Sequence, residues 1–191
     1  MTSQTHDLAA LTALNLCIVI LTVPSMSIAT AFVAVCACFI GGLIADLDKP
    51  TAKIWDKLPA GNLLGRALQP FLGAHRHLSH SAVGLVLFGL AASYILNLIS
   101  PVLLVDITIV WWAFMIGLIS HIIMDLLTSE GVPLLFPIDI HFGIPPIKFL
   151  RMKTGSFWER YLVKPGLIVA NAYLLFANLD RYVQFFHSLG K

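Results

Sequence analysis

Five apolar runs, each close to the length of a bilayer crossing, constrain this chain more than any other feature. They lie at about residues 8–23, 28–45, 81–99, 107–127 and 162–179. A helix needs roughly 17–25 mostly apolar residues to traverse the hydrocarbon core. In lipid, only helices and closed barrels satisfy every backbone N–H and C=O. None of the runs alternates apolar and polar residues as a barrel strand does. The expected fold is therefore all-α: a polytopic helical membrane protein with about five transmembrane helices, one domain over residues 1–191. Composition agrees. The chain is 58% hydrophobic and 12% charged, against about 25% charge in soluble domains, which argues against an ordinary soluble enzyme or a disordered chain. A net charge of +2 is too small for phosphate-backbone recognition, so no direct nucleic-acid binding is expected.

The three cysteines, Cys17, Cys36 and Cys38, fall inside apolar runs. Their odd number and spacing argue against a disulfide framework, and Cys-x-Cys is not a zinc spacing. They read as small apolar residues of membrane helices.

The first run is the shortest and most polar, with Thr12, Asn15 and Thr22, and Ser25-Met26-Ser27 follows it like a cleavage site. No Lys or Arg precedes it, however, so the positive region of a signal peptide is lacking, and a retained helix is expected. Ten of the twelve Lys and Arg lie in two loops: Lys49, Lys53, Lys57, Arg66 and Arg76, then Lys148, Arg151, Lys153, Arg160 and Lys164. Basic loops stay cytoplasmic. The expected topology places the N-terminus in the cytoplasm, both basic loops beside it and the C-terminus outside. Phe142, Phe149, Phe157, Trp158 and Tyr161, with Pro145-Pro146, suggest that residues 130–160 lie along the membrane interface, where aromatic rings prefer to sit.

Six of seven histidines (His6, His75, His77, His80, His121 and His141) fall at or beyond the cytoplasmic helix ends, as do Asp46, Asp48 and Asp125. The topology rests on Lys and Arg alone, so this clustering is a second signal for the same face. His121 and Asp125, at i and i+4, share a helix face, and ionisable groups inside a span are expensive and usually functional. Their bland reading is a hydrogen bond gluing helices. Asp46 and Asp48 could hold divalent cations or simply end a helix before Pro50. His75-Arg76-His77-Leu78-Ser79-His80 offers imidazoles suited to Zn, Mn, Fe or Ni, or alternatively a protonatable patch facing headgroups. Arg76 could bind an anionic substrate through its planar fork or only mark topology. His6 joins the same face. Glu159 could orient a ligand or serve as general base, or be an exposed interface carboxylate. Together His6, Asp46, Asp48, His75, His80, His121 and Asp125 exceed the needs of one ion and suffice for a two-metal hydrolytic site.

With these motifs in order, the chain resembles the YdjM family of inner-membrane-associated metal-dependent hydrolases, also called the LexA-binding inner-membrane hydrolase family. The resemblance covers nearly the whole sequence. Thr5-His6 matches the family's Thr-His before the first helix. Ile44-Ala45-Asp46-Leu47-Asp48 matches its Leu/Ile-x-Asp-x-Asp. His75-Arg76-His77-Leu78-Ser79-His80-Ser81 matches His-Arg-x-x-Thr-His-Ser, with Ser79 for Thr. Ser120-His121 through Asp125 to Thr128 matches Ser-His-x-x-x-Asp-x-x-Thr, and residues 131–137 resemble its Gly-x-Pro-x-x-x-Pro. His77 is outside the family's core signature and ranks below His75 and His80.

The expected function is a metal-dependent hydrolase at the cytoplasmic membrane interface. A divalent ion, Zn or Mn, would activate water. A site carboxylate or Glu159 would take the proton, and Arg76 would stabilise an anionic lipid or other phosphoester substrate. The first rival is a membrane anchor or regulatory binding protein with a closed structural metal site, for which the resemblance implies a regulatory protein partner. The second is an ion transporter, which would place its ligands near mid-membrane rather than at helix ends.

Overall fold

A computed structural model describes residues 1–21, 24–48, 78–138 and 140–189. Six α-helices lie among them: α1 (Ser3–Ile20), α2 (Ile28–Ile44), α3 (Ala82–Ile99), α4 (Ile107–Leu126), α5 (Lys164–Ala177) and α6 (Leu179–Ser188). A 3-10 turn, Ala45–Asp48, extends α2, and a π-helical turn, Glu159–Val163, leads into α5. The described residues contain no strand, only two isolated bridges, Thr128 with Met152 and Val132 with Phe142.

Short polar residues set three of the helix starts. Ser27 accepts from the Thr30 amide, Ser81 from the Gly84 amide, and Asp106 from the Thr108 and Ile109 amides. Each satisfies amides that a first turn leaves without partners. α1 is different. Thr2 occupies the capping position, but its hydroxyl does not cap the helix.

Three helices are long and apolar enough to cross a membrane: Ile28–Leu47, Ala82–Ile99 and Ile107–Leu126. α5 and α6, bent by 73° at Asn178, make a fourth if taken as one broken span. The described residues thus supply three to four candidate spans where the apolar runs suggested five. α1 is not among them because its start, from Ser3 to Asp7, is polar and Asn15 interrupts its second half. Thr5 and His6 are buried against protein. Farther along α1, Asn15 donates to Asn171 Oδ1 (2.6 Å) and Asn171 donates to Thr12 Oγ1 (2.7 Å), joining α1 to α5.

α4 is the central helix, with 56% of its span buried, against 11% for α3. α2 packs on it backbone to backbone. A Cβ at Gly117 would overlap the Cys38 carbonyl oxygen, and one at Gly41 would overlap that of Phe114. Small residues at such crossings let membrane helices approach closely without a hydrophobic driving force. Val110, Phe114, Met115 and Leu118 of α4 fill the core beside Ala37 and Ala45.

Residues 127–138 and 140–158 form a largely irregular platform beyond the end of α4. Gly131 takes a positive φ of 69°, and a Cβ there would meet the Phe142 carbonyl oxygen, so glycine is required. The Arg151 guanidinium donates to the carbonyls of Pro145 and Pro146, both at 2.8 Å. Ile147, Phe149, Leu150, Phe157 and Trp158 remain exposed on this platform.

Candidate metal centre

At one end of the bundle, four segments deliver imidazoles and carboxylates to a common point. The α2–α4 contact governs half of it. Because those backbones touch, His121 on α4 reaches the carbonyl oxygen of Gly42 on α2, with Nδ1 at 2.6 Å. A carbonyl only accepts, so Nδ1 carries the proton and Nε2 presents its lone pair to the centre. Asp125 is one turn further on, and its Oδ2 is 3.7 Å from His121 Nε2. Asp46, in the 3-10 turn after α2, places Oδ1 3.8 Å from the same nitrogen.

His80 arrives from the turn before α3. A Cβ on Gly84 would overlap the Leu78 carbonyl. Its absence lets residues 78–81 fold back over the first turn of α3, where Ser81 Oγ donates to that carbonyl at 2.7 Å. Ser79 Oγ lies 2.8 Å from His80 Nδ1, which holds the ring with Nε2 facing Asp125 Oδ2 (3.4 Å) and Asp46 Oδ1 (3.9 Å). His6, at the end of the first turn of α1, stacks on His121 with ring centroids 3.7 Å apart and 7° between planes. Its Nε2 is 3.4 Å from Asp125 Oδ1. The Met1 amino group also reaches that oxygen, at 2.6 Å.

The donors form two overlapping groups that could each hold an ion: His6, His121 and Asp125, and Asp46, His80 and His121. Two observations test the fit. Ligands about 2.0–2.1 Å from a tetrahedral ion are separated by about 3.3–3.4 Å, and the nitrogen-to-oxygen separations here are 3.4–3.9 Å. Second, His121 Nε2 is buried with no hydrogen-bond partner among the described residues. A lone pair directed at two carboxylates is repelled by them unless a cation lies between. The residues therefore fit a divalent ion with mixed nitrogen and oxygen ligands. His6, His80, His121 and Asp125 are at most 1% exposed, whereas the Asp46 side chain is 23% exposed and forms the accessible edge.

Of the seven candidate ligands read from the sequence, the structure brings together five: His6, Asp46, His80, His121 and Asp125. His75, Arg76 and His77 lie outside the described residues, as does the side chain of Asp48. Glu159 is 2% exposed rather than an exposed interface group. Its Oε1 accepts from the Thr2 amide (2.6 Å), the Thr2 hydroxyl (2.8 Å) and the Thr5 hydroxyl (2.7 Å), and its Oε2 from the Gly155 amide (2.6 Å). Sequence reasoning missed the Gly42 carbonyl and Thr2, and quoted Thr5 only as part of the Thr5-His6 match. The Gly41-Gly42 pair was visible, but no residue type announces a backbone oxygen that holds a ring.

The chain is 36% identical over 139 residues to the uncharacterized protein YvsG of Bacillus subtilis (strain 168), covering 72% of this chain and 74% of that one. No solved structure matches it. The model of the YdjM inner membrane protein family matches residues 1–183, which include every donor of the centre, and the chain belongs to that family.

Proposed function

We propose that this protein is a metal-dependent hydrolase working at the cytoplasmic face of the membrane, with a phosphoester or lipid as substrate. The observation that carries the reading is the His121 Nε2 lone pair, buried between two carboxylates and flanked by two further imidazoles. His6, Asp46, His80, His121 and Asp125 would hold one or two divalent ions, Zn or Mn. When bound, such an ion supplies Lewis acidity and lowers the pKa of water toward neutrality. Asp46, on the accessible edge, would accept the proton from attacking water. Arg76 would neutralise the substrate anion. The exposed apolar side chains of the 127–158 platform, beside Lys148 and Lys153, support contact with an anionic bilayer surface. α1 supports a five-crossing topology because its start lies level with the ends of α2 and α4 at the site.

Metal analysis of the purified protein, beside a phosphoester hydrolysis panel run with the native chain and His121→Ala, tests the proposal. Bound Zn or Mn and activity, both lost in the variant, are expected. A metal-free protein that Zn and Mn cannot activate would refute it. The burial of four donors favours one alternative, a closed structural site in a membrane anchor or regulatory protein. That reading requires four protein ligands and no exchangeable water on the ion.

A further inference from the structure

Glu159 does not aim its carboxylate at the metal centre. One oxygen collects three donors from the first turn of α1, and the other is held by the Gly155 amide. A carboxylate oxygen engaged three times has little capacity left for a proton or an ion. The donors are the Thr2 amide and hydroxyl and the Thr5 hydroxyl. The Thr2 carbonyl in turn accepts from the Thr5 and His6 amides, at 3.0 and 3.1 Å. Glu159 therefore grips the turn from which His6 projects. Alongside, Lys164 donates to Gln4 Oε1, and the Met1 side chain is buried in a cluster with Ala9 and Met124, against Met152 and Val163. The start of α1 thus lies against the start of α5, and its one contribution to the ligand set is His6.

We propose that Glu159 is a positioning residue of the metal centre: it latches the N-terminal turn so that His6 stacks on His121 and faces Asp125. The inference rests on the metal-site reading above. It explains why Thr2, in the capping position, leaves its own helix uncapped. The hydroxyl secures the turn to Glu159 instead. A carboxylate is suited to this role because bonds from neutral donors to a charged acceptor are roughly twice as strong as neutral pairs.

The test compares Glu159→Ala, Thr5→Val, His6→Ala, the Glu159→Ala/His6→Ala double variant and Asn171→Leu, by zinc titration and by amide hydrogen exchange over residues 2–8. Asn171→Leu is the control, since it loosens the same α1–α5 contact away from the site. Glu159→Ala is expected to weaken zinc binding by about 10–100-fold, as loss of ligand-orienting partners does. It should also abolish exchange protection at Thr5 and His6. The double variant should bind zinc no more weakly than His6→Ala alone, because groups acting through one another do not add. Asn171→Leu should lower the melting temperature while sparing zinc affinity and protection at residues 2–8. Thr5→Val, isosteric and lacking one donor, should show a smaller loss of both and serves if Glu159→Ala does not fold. Native protection at residues 2–8 in Glu159→Ala, or a zinc penalty that adds in full to that of His6→Ala, would overturn the latch. If the native chain binds no zinc, the metal reading falls, and hydrogen exchange alone decides whether Glu159 holds the turn.

Discussion

The imidazoles of His6 and His121 lie face to face, 3.7 Å between centroids, although one comes from α1 and the other from α4. Both rings are buried. Stacked in this way, both rings present Nε2 toward the Asp125 carboxylate, His6 at 3.4 Å from Oδ1 and His121 at 3.7 Å from Oδ2. His121 belongs to both donor groups and His6 to one. His121→Ala is therefore expected to abolish metal binding, whereas His6→Ala should retain the Asp46–His80 side of the centre at reduced affinity or stoichiometry. Asp125→Asn should weaken binding by about 10–100-fold. Equilibrium dialysis with elemental analysis separates the three outcomes, and equal metal content in all of them would eliminate the centre.

Ser79 is expected to matter through His80. Removing its hydroxyl in Ser79→Ala takes away the group 2.8 Å from His80 Nδ1 and should cost at least about tenfold in metal affinity. Ser79→Thr keeps a hydroxyl and should stay close to the native value. A Ser79→Ala protein that titrates like the native one would show that His80 is oriented by packing alone.

Gly117→Ala should act on the site from mid-membrane. The added Cβ overlaps the Cys38 carbonyl oxygen, a backbone atom that cannot rotate aside. Overpacking of this kind costs roughly 1–3 kcal/mol, and it separates α2 from α4. Thermal unfolding in detergent should show the lower stability, and metal titration a loss of affinity as the Gly42 carbonyl withdraws from His121. A stable Gly117→Ala protein with full affinity would mean that the helices slide without disturbing the site.

Cysteine labelling tests the topology. In a background lacking Cys17, Cys36 and Cys38, a cysteine at Lys153 on the platform should resist a membrane-impermeant maleimide in intact cells. One at Leu104, 89% exposed at the other end of the bundle, should react. The reverse pattern would place the metal centre outside the cytoplasm.

Much of this molecule can be read from its residues, and the exceptions share a physical cause. The ends of α2, α3 and α4 fall within a residue or two of the apolar runs because lipid demands continuous apolar surface there. α1 breaks that rule. An apolar run starting at residue 8 conceals a helix starting at Ser3, since its first turns face protein, and hydropathy does not register polar side chains buried against partners. The fifth run reads on to Leu179, but α5 stops at Ala177 and a 73° bend at Asn178 carries the chain into α6. At the site, His and Asp side chains were visible as candidates from their positions at helix ends. Glu159 was visible too, but its hydrogen bonds to Thr2 and Thr5 are a relationship between chain segments that no local motif encodes.

The contact of Gly41 and Gly117 with opposing carbonyls also limits how α2 and α4 can move against each other. Two helices touching through backbone have few alternative alignments, so a slide of one past the other is blocked in steps. Asp46 at the end of α2 and His121 and Asp125 near the end of α4 keep their relative height because of a contact lower in the bundle. Lipid-facing residues such as Phe32, Val86 and Leu90 take no part in that alignment. Their side chains can change without altering the spacing between the donors at the helix ends.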